Sequence, residues 1–496
     1  MNKKIKNIVL IEPRSPDYHV FSKFPLPRMG VLILGSLLRD AGYNVKVFVE
    51  TIRKIDFDIL MQADIVGISG ITSTVTRCYE LAKLLRLENI PVVMGGPHVS
   101  FMPDEALKYC DYVLKGEADD NILDFIKAFE SGEGLDNIPG LSYKVDGRTV
   151  HNKMSPLCND LDRLPIPDFN LIHGFKGLSV YPVITSRGCP YDCNFCSVTE
   201  MFGHKYRFMS SGRVIETIKS INPNWVFFYD DNFTASPARA KELLNRMIRE
   251  NVTPKWTAQV RTDVARDTEL LKLMQKSNCY ACYIGIESIN PETLKYYNKK
   301  QTIEDIELCV KRLHEHNIKI HGMFVLGSDE DSVDVVRETA NFAKKYEIDT
   351  IQFMILTPLP GTKLYDQLFK EGRILTTAWS LYDGHHVVFK PKAMTTFQLQ
   401  WETFKAMKSF YSYAQIIKSF LGFKFSTTIL RLYAHRLINQ WIRKNRIFVN
   451  ITRNFTLEKG KRLEGAAQSV AIDLWKKLVK FYRKSKARLL VESGKH

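Results

Sequence analysis

Tyr181-Pro-Val-Ile-Thr-Ser-Arg-Gly-Cys189-Pro-Tyr-Asp-Cys193-Asn-Phe-Cys196 passes from a short apolar stretch, through a glycine, into three cysteines held within eight residues. The apolar part reads as a strand, and it is the first of six. WVFFYDD (225–231), KWTAQVR (255–261), YACYIGIES (280–288), IKIHGMFVLG (318–327) and TIQFMIL (350–356) follow it. Helical patterns such as Ser236–Glu250 and Thr302–Asn317 separate them. Six strand–helix units predict an open (β/α)6 barrel rather than the closed eight-fold one, with reactive groups at the C-terminal strand ends.

Working outward toward the N-terminus, residues 1–135 alternate in the same way: KNIVLIE, a helix over Gly30–Ala41, NVKVFVE, ADIVGIS, a helix over Thr76–Arg86, PVVMGG, a helix near Asp104–Tyr109, and YVLKG. Strands this apolar imply a parallel sheet covered on both faces. This part is expected to be a doubly wound α/β domain with its ligand crevice near Ser69–Thr74, Gly95–His98 and Gly116–Glu117. Residues 136–178 carry turn chemistry and read as a linker, 179–385 as the barrel, and 386–496 as a helical region without strand alternation. The fold class is therefore α/β, with a doubly wound domain, a partial (β/α)6 barrel and a helical C-terminal region.

The 496-residue length calls for more than one domain, and 45% apolar with 25% charged residues allows large cores. No apolar run reaches eighteen residues, so no membrane-spanning helix is expected. The start, MNKKIKNIVLIEP, reads as a first strand rather than a signal peptide. Nine scattered cysteines point to metal or redox use in a reducing cytoplasm rather than to a disulfide framework. The net charge of +16 is concentrated: residues 401–496 hold 21 basic and 5 acidic residues, and the rest of the chain is balanced. Between Ala466 and Leu490, Ala471, Leu474, Trp475, Leu478 and Tyr482 recur at helical spacing among lysines and arginines. Such a helix suits an anionic membrane surface at the inner face, or simply a solvated basic face. Nucleic acid ranks behind both, because no recognisable RNA-binding module precedes it.

Cys189, Cys193 and Cys196 on one loop suit a 4Fe–4S cluster with one iron left open. Structural zinc wants a fourth ligand, for which only His204 is near, and a ferredoxin site wants a fourth cysteine. Polar residues end the later strands: Asp230 and Asp231, then Gln259 and Arg261, then Glu287 and Ser288. They are expected to face the cluster, the alternative being loop caps and salt bridges. Cys279 and Cys282, three apart on a strand, should point to opposite faces as buried spectators rather than hold a second cluster. Cys78, Cys110, Cys158 and Cys309 read as spectators too, and His385 and His386 read as loop histidines.

The CxxxCxxC spacing, with Phe195 before the last cysteine and after the first strand of six, resembles the radical S-adenosylmethionine superfamily over residues 180 to about 375. That resemblance implies that S-adenosylmethionine chelates the open iron and is cleaved to a 5′-deoxyadenosyl radical, with an external flavodoxin- or ferredoxin-like electron donor. Phe195, Asp230, Asp231, Gln259, Arg261, Glu287 and Ser288 become candidates for contacting the cofactor, Arg261 for its carboxylate. The N-terminal domain resembles the cobalamin-binding module that precedes many such barrels, on Ser69-Gly70-Ile71-Thr72, Gly95-Gly96-Pro97-His98 and Gly116-Glu117. Ser69, Thr72, Gly95, Gly96, Gly116 and Glu117 are its candidate contacts. Asp17-Tyr-His19-Val-Phe-Ser22 matches the cobalt-ligating DxHxxG loop only in part, so no histidine ligand is expected. The layout resembles the group of carbon and phosphorus methylases, hopanoid methylases and the anaerobic magnesium-protoporphyrin monomethyl ester cyclase. It implies methylation of an unactivated carbon of a small-molecule or lipid substrate, with radical cyclisation, oxidation or rearrangement as the alternative. A cobalamin- or iron-sensing membrane adaptor without catalysis is the reading from another class.

Overall fold

In the computed structural model, which describes residues 4–16, 25–154 and 157–457, two sheets follow one another along the chain. The first contains β1 (Asn7–Glu12), β2 (Asn44–Val49), β3 (Ile65–Ser69), β4 (Val92–Gly95) and β5 (Tyr112–Leu114), parallel and in the order β2-β1-β3-β4-β5. Helices α1 (Met29–Asp40), α2 (Val75–Leu87) and α3 (Ile122–Ser131) cover it. The order reverses at β1, so the chain leaves β1 and β3 toward opposite faces and opens a crevice at their carboxyl ends.

The stretch that reads as a linker does more than connect. β6 (Leu141–Val145) and β7 (Arg148–His151) form an antiparallel hairpin that extends the first sheet from β5. Asp146 and Gly147 make its two-residue turn, both at positive φ (47° and 76°), the geometry that Asp-Gly favours between twisted strands. Further on, Asp168 pairs with Arg39 and its amide donates to Ser36 Oγ at 3.0 Å, strapping the chain to α1.

The second sheet holds β8 (Tyr181–Val183), then, after a two-stranded ribbon of β9 (Ser186–Arg187) and β10 (Arg207–Phe208), β11 (Trp225–Phe228), β12 (Lys255–Val260), β13 (Cys279–Glu287), β14 (Lys319–Leu326) and β15 (Thr350–Ile355). β8 and β11 to β15 are parallel and adjacent in sequence order, as an open six-stranded barrel requires. The intervening helices are α4 (Ser211–Ile221), α5 (Pro237–Arg249), α6 (Thr268–Lys276), α7 (Ile303–Glu315) and α8 (Val333–Lys345). Their starts are set by side chains that satisfy free amides: Ser236 caps α5, and Thr302 with Asp305 forms a capping box on α7.

β13 departs from regular pairing. Trp256 sits opposite Cys279 and Thr257 opposite Ala281, so Tyr280 is an extra residue. The bulge brings Cys279 and Cys282 to the same side, with sulfurs 3.9 Å apart, where an unbroken strand would have set them on opposite faces. Both are buried, as spectators would be.

After α9 (Lys363–Lys370), residues 374–389 turn back, and Trp379, Leu381 and Tyr382 join a core with Ile68, Tyr79 and Leu107 of the N-terminal domain. Trp379 Nε1 donates to Glu105 at 2.7 Å. His385 and His386 lie fully buried rather than in an open loop, His386 beside the Asp383 carboxylate at 3.0 Å. Helices α10 (Thr396–Phe410), α11 (Tyr413–Leu421), α12 (Phe425–Lys444) and α13 (Arg446–Leu457) follow, and α10 and α12 pack against β15 at one edge of the barrel. The edge strand β15 is blunted there by Tyr411, whose hydroxyl accepts from Ile351 N (2.8 Å) and donates to Ile351 O (2.7 Å). Among the described residues no helix is long and apolar enough to cross a membrane. The partial DxHxxG match and the amphipathic pattern over 466–490 lie outside the described residues.

Trp256 anchors the barrel wall, fully buried against Phe228 and Phe233 at 5.4 Å each, with its indole N–H on Ser277 O at 2.9 Å. Trp256→Ala should destabilise the barrel by about 3–5 kcal/mol, read as a lowered urea midpoint in circular dichroism. An unchanged midpoint would contradict this placement.

Candidate functional site

The cysteine loop begins where β9 ends. Gly188 holds φ +83°, and a Cβ there would stand 2.7 Å from Lys205 O, so only glycine fits. Cys189, Cys193 and Cys196 are all half-buried, and the Cys196 amide donates to Cys193 O at 3.1 Å. The loop is pinned from outside. Asn194 Nδ2 donates to Tyr296 O (2.7 Å), Asn298 Nδ2 donates to Asp192 O (2.8 Å), and Lys363 pairs with Asp192 (2.7 Å). Phe195 turns its ring edge onto Tyr297 at 4.9 Å, so it packs the loop against the 291–299 segment.

Burial raises all three thiols above their ordinary range, Cys196 to about 12. At Cys193 the nearby Lys299 ammonium and Arg261 guanidinium pull the other way. A bound iron cluster would reverse the burial effect outright, since its charge favours thiolate. Among the described residues no three His, Cys, Asp or Glu side chains converge on a single metal ion. His204 is exposed and does not complete a zinc set. Three thiols on one pinned loop with cationic neighbours fit a three-ligand iron–sulfur cluster.

The strand-end residues divide. Asp230 is fully buried and its carboxylate is taken up by the chain: it accepts from Thr185 N (2.7 Å), Ser186 N (2.9 Å) and Thr185 Oγ1. It is a clamp on the chain, which corrects its expected place beside a cofactor. Asp231 does turn inward. Burial, and then its neighbour Asp230, raises its carboxyl to about 6, with the Gly188 amide pulling it down. Gln259 donates to Asp230 O at 3.3 Å. Arg261 is buried, lies 3.7 Å over the Tyr191 ring, and donates to Lys299 O through Nη2, while its Nε has no hydrogen-bond partner. Glu287, at φ +65°, is bound to Lys299 at 2.6 Å, and Gly285 leaves room for that pair. Ser288 is buried, its hydroxyl accepting from Asn290 N at 3.0 Å, so it caps a turn instead of facing the cluster. Lys299 escapes a reading by periodicity, because it follows the helix in an irregular Asn-Lys-Lys-Gln run.

The crevice of the first sheet and the mouth of the barrel share one cleft of about 300 Å³. Ser69, Gly95, Gly96, Gly116 and Glu117 line it from one side, and Ser186, Arg187, Phe202, Tyr229 and Asp231 from the other. Gly96 stands at φ +96° with its missing Cβ 2.7 Å from Gly70 O, so the wall there is bare backbone. Ser186 Oγ and Arg28 Nη1 are buried without hydrogen-bond partners in this cleft. A flat ring system edged with amides fits such a wall. Thr72 is not part of the lining: it is buried on His98, Oγ1 to Nδ1 3.2 Å. Glu117 carries structure as well, bridging Arg207 (2.5 Å) and Arg187 (3.3 Å).

Beyond Tyr229, an arc of rings crosses the inner face of the barrel: Phe227 to Tyr229 5.8 Å, Phe227 to Tyr283 5.3 Å, Tyr283 to His321 4.5 Å. His321 Nδ1 meets Thr350 Oγ1 at 2.8 Å and Nε2 meets Gln352 Oε1 at 3.4 Å. The amide oxygen only accepts, which calls for a proton on Nε2, and the Thr350 hydroxyl can donate to Nδ1. Burial lowers its pKa to about 4. A histidine depressed in the folded state stabilises above its unfolded value, near 6.5, and loses that stability as pH falls toward about 4. His321→Gln should therefore flatten the fall in urea midpoint between those pH values; a variant that tracks the parent curve would refute the neutral assignment.

Residues 183–343 match the Radical SAM superfamily and residues 21–126 the B12 binding domain. An uncharacterized methyltransferase of Pyrococcus horikoshii is 33% identical over 404 residues, covering 78% of this chain and 88% of that protein. The bacteriochlorophyllide d C-12(1)-methyltransferase of Chlorobaculum tepidum is 27% identical over 438 residues, 85% of this chain and 90% of its own. The fold superposes on the radical S-adenosylmethionine methyltransferase TsrM from Kitasatospora setae, solved with cobalamin and a 4Fe–4S cluster, with a TM-score of 0.62 at 20% identity, over 74% of this chain and 78% of that one. With both domain matches in the order in which the two sheets stand, and a relative a third identical along most of each chain, the protein belongs to the radical S-adenosylmethionine enzymes that carry an N-terminal cobalamin-binding domain.

Proposed function

We propose that this enzyme methylates an unactivated carbon of a small-molecule or lipid substrate. The observation that carries the reading is the shared cleft, in which the glycine-walled strand ends of the first sheet look across Tyr229 and Asp231 into the barrel beside the cysteine loop. Bound there, the cluster would deliver the electron that cleaves S-adenosylmethionine to a hydrogen-abstracting radical, and cobalamin would carry the methyl group.

Cys189, Cys193 and Cys196 would hold the cluster, and three sulfur ligands would leave it open to S-adenosylmethionine. Arg261, held flat by Tyr191 and Lys299 O, offers its Nε, which has no hydrogen-bond partner and has the Asp263 carboxylate 4.0 Å away, to the carboxylate of S-adenosylmethionine. Asp231, raised to about 6, is the strand-end acid that lines the shared cleft and receives the amine or a ribose hydroxyl. Gln259 braces that strand end through Asp230 O. Glu287 acts through Lys299, holding its ammonium beside Cys193. Phe195 positions the loop through Tyr297. Ser69, Gly95, Gly96 and Gly116 form the bare wall on which a corrin rests, and Glu117 keeps Arg187 and Arg207 at its rim. The aromatic arc from Tyr229 to His321 excludes water around the acceptor carbon. An external flavodoxin- or ferredoxin-like donor supplies electrons in the cytoplasm, and the basic C-terminal region gives peripheral contact with the membrane's inner face.

Anaerobic reconstitution with iron, sulfide and hydroxocobalamin, followed by desalting, tests the reading. The expected result is about four irons and one cobalt per chain, with 5′-deoxyadenosine formation lost in Cys196→Ala. Iron and cleavage without cobalt would remove methyl transfer by this route. Cleavage with cobalt bound, but no methylated product from any acceptor tried, would favour cyclisation or oxidation with the same cofactors.

A further inference from the structure

Helices α11 and α12 form a hairpin bolted firmly at its base. Arg431, buried, donates through Nε to Asp349 O (3.1 Å), through Nη2 to Ile348 O (3.0 Å), and through Nη1 to Ser419 Oγ (2.8 Å) and Gln415 O (3.3 Å). Its outer face is another matter. Tyr413, Ile417, Phe420 and Leu421 follow helical spacing on α11, and Phe423, Phe425, Ile429, Leu430 and Tyr433 continue across the turn onto α12, all exposed. Phe423 is 80% exposed, Leu421 69% and Ile429 68%. So dense an apolar face on the outside of a folded chain marks an interaction site.

The turn repeats the message. Phe423 sits at φ +56°, a left-handed position that favours glycine or asparagine, and its ring meets Phe425, itself exposed, at 6.2 Å. A local rule broken without a gain in burial points to a purpose outside the fold.

Charge identifies the occupant. Between Trp401 and Leu457 there are ten basic residues and one acidic one. On α12, Arg436 and Arg443, both exposed, lie on the same stripe as Ile429 and Tyr433. Lys405, Lys408 and Arg443 line an open cleft of about 570 Å³ beside Trp401. Lys418 and Lys424 flank the tip, paired with exposed Glu347 at 3.3 and 3.2 Å. A second copy docked here about a two-fold axis would set this positive surface against itself. The chain beyond Leu457, with eleven basic and four acidic residues, carries the same sign. Lipid phosphate carries the opposite one.

We propose that the α11–α12 hairpin is the surface by which the enzyme docks on an anionic phospholipid bilayer, lying flat with its apolar stripe among the acyl chains and its arginines at headgroup level. This deepens the membrane contact proposed above and stands apart from the radical chemistry. Apolar stripes of this kind bury about 5–10 Å into the headgroup boundary, within reach of side chains on a flat hairpin. Basic residues add attraction to anionic lipid.

The test is flotation of the full-length reconstituted enzyme with vesicles of phosphatidylglycerol and phosphatidylethanolamine, or of phosphatidylcholine alone. Three forms are compared: wild type, Phe420→Glu with Phe423→Glu, and Arg436→Glu with Arg443→Glu. Wild type should float with the anionic vesicles and far less with the neutral ones. Each double variant should lose about tenfold or more of its bound fraction while cleaving S-adenosylmethionine at the wild-type rate, which separates docking from the reading of the active site. Binding retained by the phenylalanine variant would overturn the proposal and assign adhesion to another segment. No flotation of wild type would overturn it too. So would a concentration-dependent dimer in sedimentation that the phenylalanine variant abolishes, since the face would then belong to a second copy.

Discussion

The carboxylate of Asp230 takes two amides and a hydroxyl from Thr185 and Ser186 at once, fully buried at the end of β11. Burial pushes that carboxyl up, and the three donors hold it down. Hydrogen bonds to an ionised acceptor in a dry place are among the stronger ones a protein makes. Here they decide the path by which the chain leaves β8, and so the point from which Gly188 throws the cysteine loop over the barrel mouth. Arg239 reaches the same turn from α5, donating to Thr185 O at 3.0 Å. The loop can be short and carry three thiols because its root does not move.

From that root the geometry propagates in two directions. Outward, Asn194, Asp192 and Phe195 fasten the loop to the 291–299 segment and to α9, so the cysteines are placed by contacts far apart in sequence. Inward, the adjacent Asp231 cannot share its neighbour's donors and is left facing the cleft with a raised pKa. One acid is spent on structure, and the next is left on the wall of the cleft. The first sheet meets this mouth with its carboxyl ends, so the crevice of a doubly wound sheet and the reactive end of a barrel become two walls of one space.

Much of this is legible in the chain. Strand periodicity and apolar runs mark both sheets, and the glycines at 95, 96 and 116 announce bare backbone that the structure does place on the cleft. The failures have physical causes. Asp146-Gly147 is a strong hairpin signal, yet it lies within turn-rich sequence that reads as linker. Asp230 and Asp231 are chemically identical, and only the position of the Thr185 turn tells them apart. Thr72 groups with the crevice by proximity, though its hydroxyl is taken by His98. A regular pleat would part Cys279 from Cys282, and one inserted residue, Tyr280, reverses that geometry. Lys299 and the His321–Gln352 pair arise from contacts across strands and loops that no local pattern records.

The return of residues 374–389 to the N-terminal domain has a consequence for how the protein is made. One face of the first sheet, with Ile68, Tyr79 and Leu107, finds part of its cover in Leu375, Trp379 and Tyr382. These emerge more than 250 residues after β5. At about 5–20 residues per second, translation leaves that face waiting for tens of seconds. During that interval the nascent domain carries an apolar surface that its own chain cannot yet cover.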